Sequence, residues 1–172
     1  MGHPDCQLPW WRSDCAHPHL RKAEQLLDAG AADVIATQEE DLVEEVNRLT
    51  DSRGADVVFD PVVGRTFSKL VQVTAKKGRI VIYGALKTQP TERPVFEILT
   101  NNPTIYAYGI FETTYSRELP KTAAKFVHGG FEDGAFKAVI GEHIFTLDEI
   151  VKAHEYLEAN DVFGKIVVEV AD

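Results

Sequence analysis

The chain has 172 residues, enough for one sizeable core and a small appendage. Its formal net charge of -9 excludes a general nucleic-acid binder, which needs a basic face, and no apolar run approaches the roughly 20 residues that span a bilayer. Two cysteines, Cys6 and Cys15, make no disulfide framework, and no signal peptide opens the chain, so a reducing compartment, the cytoplasm, is expected.

Residues 1–20 crowd His3, Cys6, Trp10, Trp11, Cys15, His17 and His19 among three prolines with neither helical nor strand period, and read as an irregular leader. Cys6, Cys15, His17 and His19 are zinc-ligand types, but their spacing does not match the usual paired-ligand pattern, so no metal site is expected. From Arg21 the pattern is regular. Ala23, Leu26 and Leu27 make a helical stripe that stops at Gly30, and Val34-Ile35 is a short strand. Thr37 and Glu40 stand at capping-box spacing before a helix with Leu42, Val43, Val46 and Leu49 inward.

The central stretch runs from Arg53 to Leu86. Val57-Val58-Phe59 and Ile80-Val81-Ile82-Tyr83 are short β-branched and aromatic runs suited to strands buried on both faces. Between them Phe67, Leu70, Val71 and Thr74 fall at helical spacing, with Lys76, Lys77 and Gly78 expected to end that helix. Strand, helix and strand in succession make a right-handed parallel unit, and open sheets of this kind bind ligands at the carboxyl ends of their strands. Prolines 90, 94 and 103 mark a loop around the apolar segment at Val95 to Leu99. The run from Thr104 to Phe111 alternates and reads as a strand; Pro120 to Val127 reads as a helix ending at Gly129-Gly130. Val139-Ile140 and His143 to Phe145 are short extended pieces. Thr146 and Glu149 repeat the capping-box spacing before a helix bearing Leu147, Ile150, Val151, His154 and Leu157 on one face, and Gly164 to Val170 is the last strand. The fold class is α/β: a partial Rossmann-like parallel sheet with flanking helices. A hydrogen-bonded core role is expected for His154, and no Ser-His-Asp order or carboxylate pair suggests a hydrolase.

Four blocks in this order, KAEQLLDAGAADVIAT, GADVVFDPVVG, KKGRIVIYGAL and FTLDEIVKAHEYLEANDVFGKIVVEV, resemble the medium-chain dehydrogenase/reductase superfamily, within it the zinc-independent quinone oxidoreductase branch. The resemblance covers about Arg21 to Asp172, the C-terminal portion of such an enzyme. The family's N-terminal catalytic domain is absent, and so is the glycine-rich turn that holds the pyrophosphate. It implies a partial dinucleotide-binding domain over 21–135 and a C-terminal segment over 136–172 that in the family packs back on the catalytic domain.

By the same resemblance, Lys22 matches the lysine that meets the extra phosphate of NADPH; its other reading is a solvated lysine at a helix start. Asp60, Pro61, Val62, Val63 and Gly64 match the loop passing the ribose and nicotinamide. Tyr83, Gly84, Ala85 and Leu86 match the turn whose backbone approaches the nicotinamide. Ile110 and Phe111 match a strand end lining that pocket, and Gly164 and Lys165 the turn that closes over the cofactor. The implied function is the cofactor-binding part of an oxidoreductase that reduces quinones or activated alkenes and carbonyls with NADPH, in preference to NADH. The alternative is a non-catalytic dinucleotide-fold module serving oligomerisation or binding. The residues identify no catalytic side chain, because in this branch hydride leaves the nicotinamide itself. A small-molecule substrate and a homodimer formed along the strand from Thr104 to Phe111 complete the expectation, with neither nucleic acid nor membrane as partner.

Overall fold

The computed structural model describes residues 13–115, 118–159 and 162–170. Its centre is a three-stranded parallel sheet of β3 (Ala55–Asp60), β4 (Thr74–Ile82) and β5 (Thr104–Ala107), in that order. Val57 to Asp60 pair with Arg79 to Ile82, and Arg79 to Ile82 pair in turn with Thr104 to Ala107. The core is small. Phe67 and Val71 of α3 (Thr66–Gln72) pack on Ile80, with Val58, Ile82 and Ile98 around them. Ile98 belongs to α4 (Val95–Asn101), a helix where the prolines suggest a loop. It is held because Asn101 Nδ2 donates to the carbonyls of Val71 and Gln72, at 3.1 and 3.3 Å.

Two shorter parallel pairs flank this sheet in sequence. β1 (Asp14–His17) pairs with β2 (Asp33–Ala36), joined by α1 (Ala23–Asp28); α2 (Leu42–Leu49) follows and packs on β2 and α3. β6 (Ile140–Thr146) pairs with β7 (Lys165–Glu169) across α7 (Ile150–Glu158), while α5 (Ile110–Tyr115) and α6 (Leu119–Glu132) lie between β5 and β6 in the chain. The doubly wound dinucleotide fold has strand order 3-2-1-4-5-6. Here β2-β1 fits places 3-2 and β3-β4-β5 fits places 4-5-6. Among the described residues no strand occupies the place between β1 and β3, so the two sheets are separate.

Several local expectations change. Asp14–His17 is a strand although its sequence has no strand period, because β2 supplies a parallel partner; residues 1–12, with His3, Cys6, Trp10 and Trp11, lie outside the described set. Asp41, not Thr37, caps α2: its Oδ1 accepts from the Val43 and Glu44 amides at 2.8 and 3.2 Å, whereas Glu40 accepts from the Ala36 amide. Lys76, Lys77 and Gly78 do not end α3. They form a bulge inside β4, where the pairing shifts between Ala55 and Val57 and Lys77 takes φ +61°. The strand from Thr104 stops at Ala107, and Ile110 begins a helix. α6 runs through Gly129-Gly130, and Phe136 lies on Gly130 where a Cβ would collide with its ring. β3 is buried on one face only: Val58 meets the core while Phe59 is 64% exposed. His154 is exposed rather than in a core; Ala153 is the buried residue of α7. The capping box of Thr146 and Glu149 forms as read, before a 3-10 turn that leads into α7.

Candidate cofactor site

The parallel β3-α3-β4 unit brings two loops together at the carboxyl ends of its strands. β3 ends at Asp60, and residues 61–64 turn away into α3; β4 ends at Ile82, and residues 83–87 run alongside. The two loops are joined by backbone: the amides of Tyr83, Leu86 and Lys87 donate to the carbonyls of Asp60, Pro61 and Val62, each at 3.1 Å. Gly84 is required where they touch, because a Cβ there would lie 2.9 Å from the Pro61 carbonyl oxygen. The structure thus places eight of the residues singled out from sequence, Pro61, Val62, Val63, Gly64, Tyr83, Gly84, Ala85 and Leu86, in one cradle.

Beneath the cradle sits Asp60, 2% exposed. Its Oδ1 accepts from the amides of Val62 and Val63 at 2.8 and 3.0 Å. Its Oδ2 is enclosed with no hydrogen-bond partner. Above it, Val63 at φ +54° and Gly64 at φ +71° are successive left-handed residues, and the Gly64 amide donates to Thr91 Oγ1 at 3.0 Å, 27 positions along the chain. Reading the sequence placed Asp60 in this loop without giving it a role of its own, and did not include Thr91. The signal for Asp60 was its place at a strand end before a proline and a glycine, where an aspartate accepts from amides two and three residues on. Thr91 carried none, since only the fold brings it to Gly64.

The remaining candidates surround the cradle unevenly. The Tyr108 amide donates to the Ile82 carbonyl at 2.8 Å, which leads Ile110 and Phe111 off beside the end of β4; they open α5 at 57% and 67% exposure. Phe59 and Tyr83 meet edge to face at 6.5 Å on the uncovered side of the sheet. Lys22 lies in the turn after β1, is buried, and donates from Nζ to the Val162 carbonyl at 3.0 Å. Gly164 and Lys165 enter β7, where the Lys165 amide donates to the Val139 carbonyl at 2.8 Å. Lys22 and the stretch before Gly164 are therefore neighbours.

The cradle suits a ligand held by backbone. Residues 61–64 and 83–87 present main chain at the strand ends where doubly wound sheets bind dinucleotides, and Gly84 leaves no side chain at their contact. Residues 29–168 match the family described as zinc-binding dehydrogenase. The chain belongs to that family. The likeness to the quinone oxidoreductase-like branch of the medium-chain superfamily, over its C-terminal part, holds as well. This dehydrogenase-family chain is 29% identical over 147 residues to quinone oxidoreductase of Salmonella typhimurium, covering 84% of itself and 45% of that relative. It is 25% identical over 144 residues to the quinone oxidoreductase-like protein 2 homolog of Nematostella vectensis, covering 82% of itself and 39% of the relative. It therefore spans less than half the length of these curated relatives. Its fold matches Escherichia coli quinone oxidoreductase complexed with NADPH at a TM-score of 0.82 and 22% identity, over 96% of this chain and 51% of that one.

The family's description raises zinc. Among the described residues no three His, Cys, Asp or Glu side chains stand together as a metal requires. Cys15 is half-buried, and burial pushes its thiol up, away from the thiolate form that binds metal. Among the described residues there is also no helix long and apolar enough to cross a membrane.

Proposed function

We propose that this chain is the cofactor-binding part of an NADPH-dependent oxidoreductase that reduces quinones, or activated alkenes and carbonyls, by hydride transfer. The observation that carries the reading is the joined pair of loops at the ends of β3 and β4, which gathers Pro61–Gly64 and Tyr83–Leu86 where a doubly wound sheet takes a dinucleotide. When bound, reduced nicotinamide supplies the hydride; the chain supplies position and a shaped backbone surface. Lys22 follows β1, the strand that fits second place in the sheet and after which this fold distinguishes the adenosine ribose from its phosphate. Lys22 is buried, so a preference for NADPH over NADH that it confers is only weakly screened by salt.

The same reading makes the protein a cytoplasmic homodimer joined along β5. The four residues of β5 are exposed, with Tyr106 at 60%, and β5 is an outer strand of its sheet. A second reading, a non-catalytic dinucleotide-fold module, draws on the separation of the β1-β2 and β3-β4-β5 sheets among the described residues.

Calorimetric titration of NADPH and NADH at low and high salt tests the proposal. Binding of NADPH ahead of NADH, with a gap that persists in salt, is expected. Binding of neither at millimolar concentration would overturn it in favour of the second reading.

A further inference from the structure

We propose that Asp60 is the positioning residue of the cofactor cradle, holding the 61–64 loop in a strained shape that the bound dinucleotide needs; this rests on the reading above. Three observations converge on it. The first is conformational. Val63 at φ +54° is a β-branched residue in the left-handed region, followed by Gly64 at φ +71°. Such a pair does not arise from local preference, and backbone strain of this kind survives only where its surroundings impose it. The second is the restraint itself. Asp60 Oδ1 accepts from both the Val62 and Val63 amides, fixing the two peptide planes that lead into the strained residues. Farther along, Thr91 Oγ1 takes the Gly64 amide and the Val62 carbonyl takes the Lys87 amide, so the loop is tied on both sides.

The third is the unused oxygen. Asp60 is 2% exposed, yet Oδ2 has no donor, a state that burial penalises. A residue chosen for stability alone would not leave it so. Asp60 retains a costly buried carboxyl and a strained valine beside it, both in the loop that meets the 83–87 turn. Stored strain at a ligand-binding loop is what pre-organisation looks like in a backbone site.

Asp60→Asn and Asp60→Ala separate the roles. Asparagine keeps an oxygen for the two amides; alanine removes it. In wild type, hydrogen exchange at the Val62 and Val63 amides should be slow. In Asp60→Ala it should rise more than about tenfold at those two amides, while Ile80 in β4 keeps its protection. NADPH should bind about tenfold more weakly to Asp60→Ala, and Asp60→Asn should restore both protection and affinity. Val71→Ala, which opens a core cavity in α3 at a residue outside the cradle, is the control: it should lower the melting temperature with NADPH affinity unchanged. Unchanged exchange at Val62 and Val63 in Asp60→Ala would overturn the proposal. So would an alanine variant that loses protection yet binds NADPH like wild type, or an affinity loss matched by Val71→Ala. A wild type with protected amides but no affinity for NADPH would overturn the function assigned to the cradle, and the cofactor role of Asp60 with it.

Discussion

Lys22 Nζ donates to the main-chain carbonyl of Val162 at 3.0 Å, across 140 positions of sequence. The lysine is 6% exposed, so an ammonium near the start of the chain is buried to hold the approach to its last strand. The residue read as a phosphate contact is also a tether between the β1-β2 and β6-β7 pairs. A charged donor on a part-buried carbonyl is stabilising beyond an ordinary hydrogen bond. Lys22→Met keeps the aliphatic stem and removes the charge. It should cost about 1–2 kcal/mol in denaturant unfolding and loosen amide protection in β7. It should also abolish any preference for NADPH over NADH. Loss of preference without loss of stability would show that the tether carries no weight.

Gly84→Ala tests the contact between the two loops. The added methyl would meet the Pro61 carbonyl oxygen at 2.9 Å and Pro61 Cα at 3.3 Å, both backbone atoms that cannot swing aside. The variant should lose about 1–3 kcal/mol and bind NADPH more weakly. Wild-type affinity in this variant would remove the 83–87 turn from the site.

Val63→Gly relaxes the same loop from the other direction. Left-handed backbone costs a valine of the order of 1–3 kcal/mol, and glycine's extra unfolded-state entropy returns about 0.5–1 of that. Thermal melting should therefore show a small gain in stability, up to about 2 kcal/mol. A loss would mean that the valine side chain does more for packing than its conformation costs.

Asp41 introduces a pH dependence. A hydrogen bond from Lys69 Nζ, then the amides of Glu44 and Val43, hold its carboxyl below the ordinary aspartate range. A depressed carboxyl contributes stability that is present above the unfolded value of about 3.9 and is lost as pH falls through the folded value. Melting followed from pH 6 down to pH 2 should show a destabilisation in wild type that is smaller in Asp41→Asn. Identical pH profiles for the two would exclude a contribution from this cap.

Tyr106→Lys addresses the dimer. Placing a charge in the middle of an exposed outer strand blocks edge-to-edge pairing without touching the core. Sedimentation should give a dimer for wild type at micromolar concentration and a monomer for the variant. A monomeric wild type, or a variant that stays dimeric, would exclude β5 as the interface.

What the sequence by itself determined was local or periodic. Val34-Ile35, Val57 to Phe59 and Ile80 to Ile82 are strands because β-branched runs of that length have little alternative, and the Thr146–Glu149 capping box forms because its partners are three residues apart. The parallel β3-α3-β4 unit and the carboxyl end of its strands follow from handedness and order, whereas the cradle residues there were named through the family resemblance. The tertiary structure decided whatever depends on a partner distant in sequence. Asp14–His17 is extended because β2 lies beside it, α4 is held by Asn101 on the end of α3, and α6 passes through two glycines under Phe136. The lock on the cradle belongs here too. Asp60 reads as one more turn aspartate until burial, two amides and a left-handed Val63 are placed around it, and Thr91 and Lys22 find their partners 27 and 140 residues away. Periodicity reports which face of an element is apolar; only the folded chain reports which face is covered, and here Phe59 and His154 stand exposed where their patterns called for burial.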